Sequence, residues 1–285
     1  VNLKKCWGNK KMLQRVGSMS LMKLKKIALL FLLAATFSSL LAKPARITPQ
    51  RTVLRSEGNK LAIDKVLLSE FKKNLSNKEV SQLKKQALNY SGKAIPALIT
   101  VMKSSAYPDK NRWVATFLVG RIMGKKSGPF ISKFLKHPNW VLRMASLKTL
   151  LALKQEQYAA LYAKALKDKS FIVRKQALQN IRKMDLTSKA ADVWGMLYDK
   201  RNYYLPKEGT KKRTNLIKEA ITTVGDLKFK KAIVPLLSMV QKEKYKDVFS
   251  EIDYSLSKIT GKKSPVESNM KKRFWKKIAI SYKTI

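Results

Sequence analysis

Residues 168–184 read Asp-Lys-Ser-Phe-Ile-Val-Arg-Lys-Gln-Ala-Leu-Gln-Asn-Ile-Arg-Lys-Met. Counting from Arg174, the residues Ala177, Ile181 and Met184 lie three, seven and ten places on, a spacing that sets all four on one helical face. The pattern recurs 31 residues earlier in Arg143, Ser146, Leu150 and Leu153, and 31 before that in Arg112, Ala115, Val119 and Ile122. Each copy follows an apolar helix-like segment and a short polar turn. Three copies in one register predict stacked helical hairpins, because one hairpin cannot bury its own apolar face.

Outward from that unit the alternation continues in both directions. Towards the N-terminus, helices are expected over Lys60 to Asn74 and Lys78 to Tyr90, with a capping box at Ser76-Asn-Lys-Glu79 between them. Ala94 to Met102 then closes one hairpin, Asn111 to Met123 with Pro129 to Lys136 forms the next, and Val141 to Leu153 with Gln157 to Leu166 another. After Phe171 to Met184 and Lys189 to Tyr198 the register slips by twelve: Ala220 and Val224 resume it 43 residues after Ala177 and Ile181. The insertion falls within Arg201 to Arg213. Ala232 to Val240, Val248 to Ile259 and a terminal helix over Met270 to Tyr282 complete the array, with Phe274, Trp275 and Ile278 turned inward to hide its last apolar face. Gly120 and Gly225 are expected where neighbouring helices approach closely.

A short turn, then Val-Arg or its equivalent, a small residue and spaced leucine-like residues resemble the HEAT repeat, in particular the short bacterial PBS lyase HEAT-like form. The match is clearest at Ile172-Val173-Arg174 with Ala177, at Val141-Leu142-Arg143 with Ser146, and at Arg112 with Ala115 and Gly120. The resemblance implies an all-α, right-handed α-solenoid of stacked hairpins over residues 59–265, capped by residues 266–285. It also implies a structural role for Arg112, Arg143 and Arg174, since in the family this arginine commonly bonds an acidic residue of the neighbouring turn. Asp109 and Asp168 are the acidic candidates, and His137 stands where the middle repeat would want an aspartate. Some family members attach bilin chromophores inside the cell, which does not suit a chain expected to be exported.

Export is read from the N-terminal region. Met22-Lys-Leu-Lys-Lys26 is a basic run followed by a mostly apolar segment from Ile27 to Ala42, short for a membrane span and charged on its N-terminal side. Residues 19–42 are expected to be a signal peptide cleaved after Ala42, with an uncleaved N-terminal membrane anchor as the alternative. Residues 1–18, beginning with valine ahead of Met19 and Met22, are expected to be an extension upstream of the true start, and residues 43–58 a linker.

Of the 285 residues, 61 are Lys or Arg and 18 Asp or Glu, a formal charge of +43, and residues 43–285 alone carry +35. Such a field favours anionic partners. Lysine outnumbers arginine, however, which equally fits a basic composition with no phosphate-reading site. Cys6 is the only cysteine and His137 the only histidine, which removes a cysteine zinc site, most other metal sites and the common His-dependent schemes, and no catalytic residue, metal or cofactor is expected. Glu251 and Asp253 point in different directions on a helix and make no acid–base pair.

The insertion is the candidate binding feature: Arg201, Tyr203, Tyr204, Lys207, Lys211, Lys212 and Arg213 join cations to aromatic faces. It shares an edge with the inter-repeat turns and their lysines. The bland reading is a solvated loop that packs its tyrosines on adjacent helices. Trp113, Trp140 and Trp194 are expected in packing and His137 in a surface or capping role. The function expected is a non-enzymatic exported scaffold that binds an acidic protein or an anionic envelope component. A nucleic-acid binder or DNA glycosylase on the same fold is the alternative, though it needs a catalytic carboxylate beside aromatics. A membrane surface is a third class of partner.

Overall fold

The computed structural model describes residues 49–203 and 214–282. The chain divides into two compact units, Val1–Val53 and Leu54–Ile285. All the repeats lie in the second. Of the first, only residues 49–53 are described, in the opening turns of a helix, so the expected extension, signal segment and cleavage site lie outside the described residues.

Thirteen α-helices occur among the described residues, joined by short 3-10 turns and with no strand. They are α1 (Pro49–Lys72), α2 (Asn77–Tyr90), α3 (Ile95–Lys103), α4 (Asp109–Met123), α5 (Gly128–Lys133), α6 (Trp140–Ala152), α7 (Ala159–Ala165), α8 (Phe171–Lys183), α9 (Ala190–Gly195), α10 (Asn215–Asp226), α11 (Ile233–Val240), α12 (Phe249–Thr260) and α13 (Ser268–Ser281). The long even-numbered helices α4 to α12 pack side by side in one layer. The short odd-numbered helices from α3 to α11 back them, and α13 lies on α11. This is an α-solenoid of the expected hairpins.

The repeat register has a direct structural meaning. Ala115, Ser146 and Ala177 have no exposed surface, nor do Val119, Leu150 and Ile181, while Ile122, Leu153 and Met184 are all half-buried. A small side chain at the first of these positions lets the stacked long helices close on each other. Gly120 and Gly225 serve the same approach: a Cβ on Gly225 would lie 2.7 Å from Ser255 Cα. The hydroxyl of Ser255 turns this contact into a tie by donating to the Ile221 carbonyl at 2.7 Å.

Ser146 is the exception among the small residues, since its buried hydroxyl has no hydrogen-bond partner among the described residues. Ser146→Ala removes an unsatisfied group and restores the residue that both neighbouring repeats use. It should raise stability by about 1 kcal/mol, seen as a higher urea midpoint at unchanged slope.

Three of the long helices, α6, α8 and α10, end alike. Lys154, Asp185 and Lys228 adopt positive φ of 49°, 49° and 51°. The next amide in each case bonds back five residues, Gln155 to Leu150, Leu186 to Ile181 and Phe229 to Val224, at 3.0–3.2 Å. These are Schellman-type terminations, which satisfy otherwise orphaned carbonyls.

At the N-terminal side the capping box forms as expected: the Ser76 amide donates to Glu79 at 2.7 Å, and the Glu79 amide to the Ser76 hydroxyl at 3.3 Å. Of the span 43–58 expected to be a linker, residues 43–48 lie outside the described residues and residues 49–58 are helical, since α1 begins at Pro49. Proline is accepted at a helix start, where its missing N–H has no intrahelical duty, and the helix absorbs Gly58 at a modest loss.

Candidate functional site

One inter-repeat turn does two jobs through a single residue. In the third turn, the Asp168 carboxylate accepts both arms of the Arg143 guanidinium, from Nε at 2.7 Å and from Nη2 at 2.8 Å. Its main-chain carbonyl meanwhile accepts from Arg174 Nη1 at 2.8 Å. Arg143 Nη1 likewise bonds the carbonyls of His137 and Pro138, both at 2.8 Å, in its own turn. Arg143 is therefore buried between the turn that precedes it and the turn 25 residues ahead.

That forward reach corrects the assignment of partners. The rung weakened by His137 is the first, not the middle one: His137 Nε2 stands 3.5 Å from Arg112 Nη2. His137 Nδ1 accepts from the Asn139 amide at 3.0 Å, so in the neutral ring the proton sits on Nε2 and cannot receive a second donor. Arg112 relies instead on the Met102 carbonyl at 3.1 and 3.3 Å, and on Asp109, one turn back in α4, at 3.2 Å. In the last rung Arg174 binds the Asn202 amide oxygen at 2.7 Å and the Arg201 carbonyl at 2.9 Å. Only the middle rung is a carboxylate fork of the expected kind.

Burial, then the nearby Arg112 charge, push the His137 pKa below its ordinary 6.5. The unfolded chain therefore takes up the proton more readily than the folded one, and the stability of the first rung drops as pH falls through 6.5 towards the folded value. His137→Asp should copy the third turn, where Asp168 accepts both from an arginine and from the amide two residues on, Ser170, at 2.7 Å. The gain should be about 1–2 kcal/mol at neutral pH, and the variant should lose this part of the acid sensitivity. Urea unfolding at a series of pH values reads both effects.

Of the insertion, Arg201 and Tyr203 are described; Tyr204, Lys207, Lys211, Lys212 and Arg213 lie outside the described residues. Arg201 is solvent-exposed, but its guanidinium grips Asp199 at 2.6 and 2.9 Å and touches the Lys167 carbonyl at 3.3 Å. The Tyr203 hydroxyl donates to the Leu197 carbonyl at 2.8 Å, and its ring packs on the core. Asn202 between them is buried and donates to the Met196 carbonyl at 2.8 Å. The start of the insertion is thus fastened to the third turn. Its described residues pack and pair; they do not offer an aromatic face beside an unpaired cation.

The open cations lie beside it. A groove of about 570 Å³ runs between the second and third turns, floored by Leu135, Leu161 and Ala165. Lys136, Lys164, Lys167 and Lys169 rim it, all exposed and with no ion pair among the described residues. Its one acidic member, Asp168, is already held by Arg143. Burial pushes the Asp168 carboxyl up, but the Arg143 hydrogen bonds and the Ser170 amide outweigh it and hold the group below its ordinary value. The groove is therefore an apolar floor under uncompensated positive charge.

Aromatic placement divides. Trp113 packs half-buried with Lys148 Nζ 5.3 Å from its ring centre, and Trp194 donates to the Tyr198 hydroxyl at 3.1 Å. Trp140 departs from the packing role expected of it and stands 43% exposed at the start of α6, in register with Phe171 at 44% on α8. Among the described residues no group of three or more His, Cys, Asp and Glu could hold a metal, and no helix is long and apolar enough to cross a membrane.

Residues 95–203 match the family model for HEAT repeats. No curated protein matches the chain. Among solved structures, a chain from the complex of CpcE and CpcF of phycocyanin lyase from Nostoc sp. PCC7120 is similar at 14% identity and a TM-score of 0.40, over 85% of this chain and 99% of that one.

Proposed function

We propose that this HEAT-repeat protein is a non-enzymatic docking scaffold whose inter-repeat edge binds an acidic partner protein. The observation that carries the reading is the groove between the second and third turns, where four lysines surround an apolar floor and the single carboxylate is spent on the fold. Acidic side chains would meet the lysines and apolar ones the floor, a combination suited to a protein surface. Export through residues 19–42 belongs to the same proposal, and cell fractionation tests it: a product confined to the cytoplasm removes it.

The edge itself is tested by charge removal. Lys136, Lys164, Lys167 and Lys169 changed together to glutamine should weaken binding of a labelled polyglutamate probe by at least about tenfold, since four cations are lost from one site. The same number of changes at Lys125, Lys126, Lys230 and Lys231, in the turns within hairpins at the opposite edge, should leave it nearly unchanged. Equal losses from the two sets would show that charge alone attracts the probe, and the edge assignment would fall.

A further inference from the structure

The C-terminal end of the array holds a second positively charged cavity, of about 670 Å³, between the 3-10 turn Glu243–Val248 and α13. Lys242 and Lys246 face it from the turn, and Lys272, Arg273 and Lys276 from the helix. Tyr245, Phe249 and Met239 supply its apolar side. Five cations therefore line one concavity with a single carboxylate, that of Glu243.

Glu243 is the internal anion that meets these cations. Its carboxylate bridges the two walls, 3.5 Å from Lys246 Nζ and 3.4 Å from Lys272 Nζ, and these cations lower its pKa, the Lys272 hydrogen bond first. Both contacts are long, and the side chain is 70% exposed, so it is easily displaced. It leaves a formal excess of four positive charges. Lys272 and Lys276 are also one helical turn apart, where like charges repel. An anion that relieves this repulsion must carry several charges in a small volume, and phosphate groups do so better than single carboxylates. The volume falls within the range of small-molecule sites.

We infer that this cavity binds a small soluble molecule bearing two or more phosphate groups, with Glu243 as the internal group it displaces. The inference rests on the cavity alone and does not require the edge to dock a protein.

Calorimetric titration of the full chain with tripolyphosphate, at an ionic strength of about 0.15 M to screen scattered surface charge, tests it. Lys272→Gln with Lys276→Gln should weaken binding at least tenfold, and Glu243→Gln should tighten it severalfold. Tripolyphosphate should also raise the melting temperature of the parent protein, but not of the double variant. Lys136→Gln with Lys167→Gln, at the edge groove, should leave tripolyphosphate binding unchanged while weakening polyglutamate binding. The proposal is overturned if both lysine pairs lose tripolyphosphate equally, if neither does, or if Glu243→Gln weakens binding. It is also overturned if the α13 pair is needed only for co-sedimentation with phosphatidylglycerol vesicles, since the phosphate would then belong to a lipid surface.

Discussion

Arg143→Ala is expected to destabilise the array by about 3–5 kcal/mol, the range for removing one partner of a buried ion pair. The arginine side chain is 8% exposed and that of Asp168 11%. Loss of the guanidinium strips Asp168 of both charge-assisted bonds and orphans the carbonyls of His137 and Pro138. Because one turn residue serves two repeats, the damage should reach the Arg174 rung, whose first acceptor is the Asp168 carbonyl. Arg143→Lys should retain a minority of the stability, since an ammonium cannot make the parallel fork. The pH dependence separates this account from simple loss of packing. In the parent, Asp168 titrates below its ordinary 3.8, so its contribution is present above that value and disappears as pH falls through the lower folded one. In the alanine variant burial is opposed far less, the carboxyl titrates higher, and the gap between variant and parent should narrow as the solution is acidified. A gap that stays constant from neutral pH to about pH 3 would show that the charge pair contributes nothing.

The layer architecture was legible because its signal repeats: one arginine or one alanine is uninformative, but Arg112, Arg143 and Arg174 in a common register, each with a small residue three places on, leave few alternatives. Direction was not legible. The 31-residue period places His137 and Asp168 in equivalent turns, but it does not say whether a side chain answers the arginine of its own repeat or of the one before. Arginine length and helix geometry decide that, and they favour the one before. The helix endings were hidden for a different reason. Three of the left-handed residues are Lys154, Asp185 and Lys228, where glycine would have announced the turn. The binding regions were the least legible of all. The insertion drew attention through its composition, whereas the edge groove and the C-terminal cavity gather cations scattered among ordinary lysines of the sequence. Lys246 and Lys272 become neighbours only because α13 folds back on α11.

That folding back predicts the second large effect. Trp275→Ala should cost about 3–5 kcal/mol, as expected for truncating a fully buried aromatic side chain. Trp275 has no exposed surface, meets Phe274 edge to face at 4.8 Å, and donates its indole N–H to Asp253 at 2.7 Å. Asp253 is itself buried and also receives Lys271 at 2.8 Å, so truncation leaves a cavity and a carboxylate short of one donor. Trp275→Phe separates the two losses: it keeps most of the ring and should cost about 1–2 kcal/mol, the share of the missing hydrogen bond. The location of the damage is as informative as its size. In an array whose stability is carried by nearest-neighbour interfaces, an end lesion should open the end first. Amide exchange should accelerate in α11, α12 and α13, while α4 and α6 keep their protection under the same conditions. Uniform acceleration across all the helices would mean that the hairpins unfold as one cooperative block and that α13 is no cap. If the end opens alone, Lys272 and Lys276 move away from Lys242 and Lys246, and the cavity that they share should lose its affinity for tripolyphosphate before the edge groove loses polyglutamate.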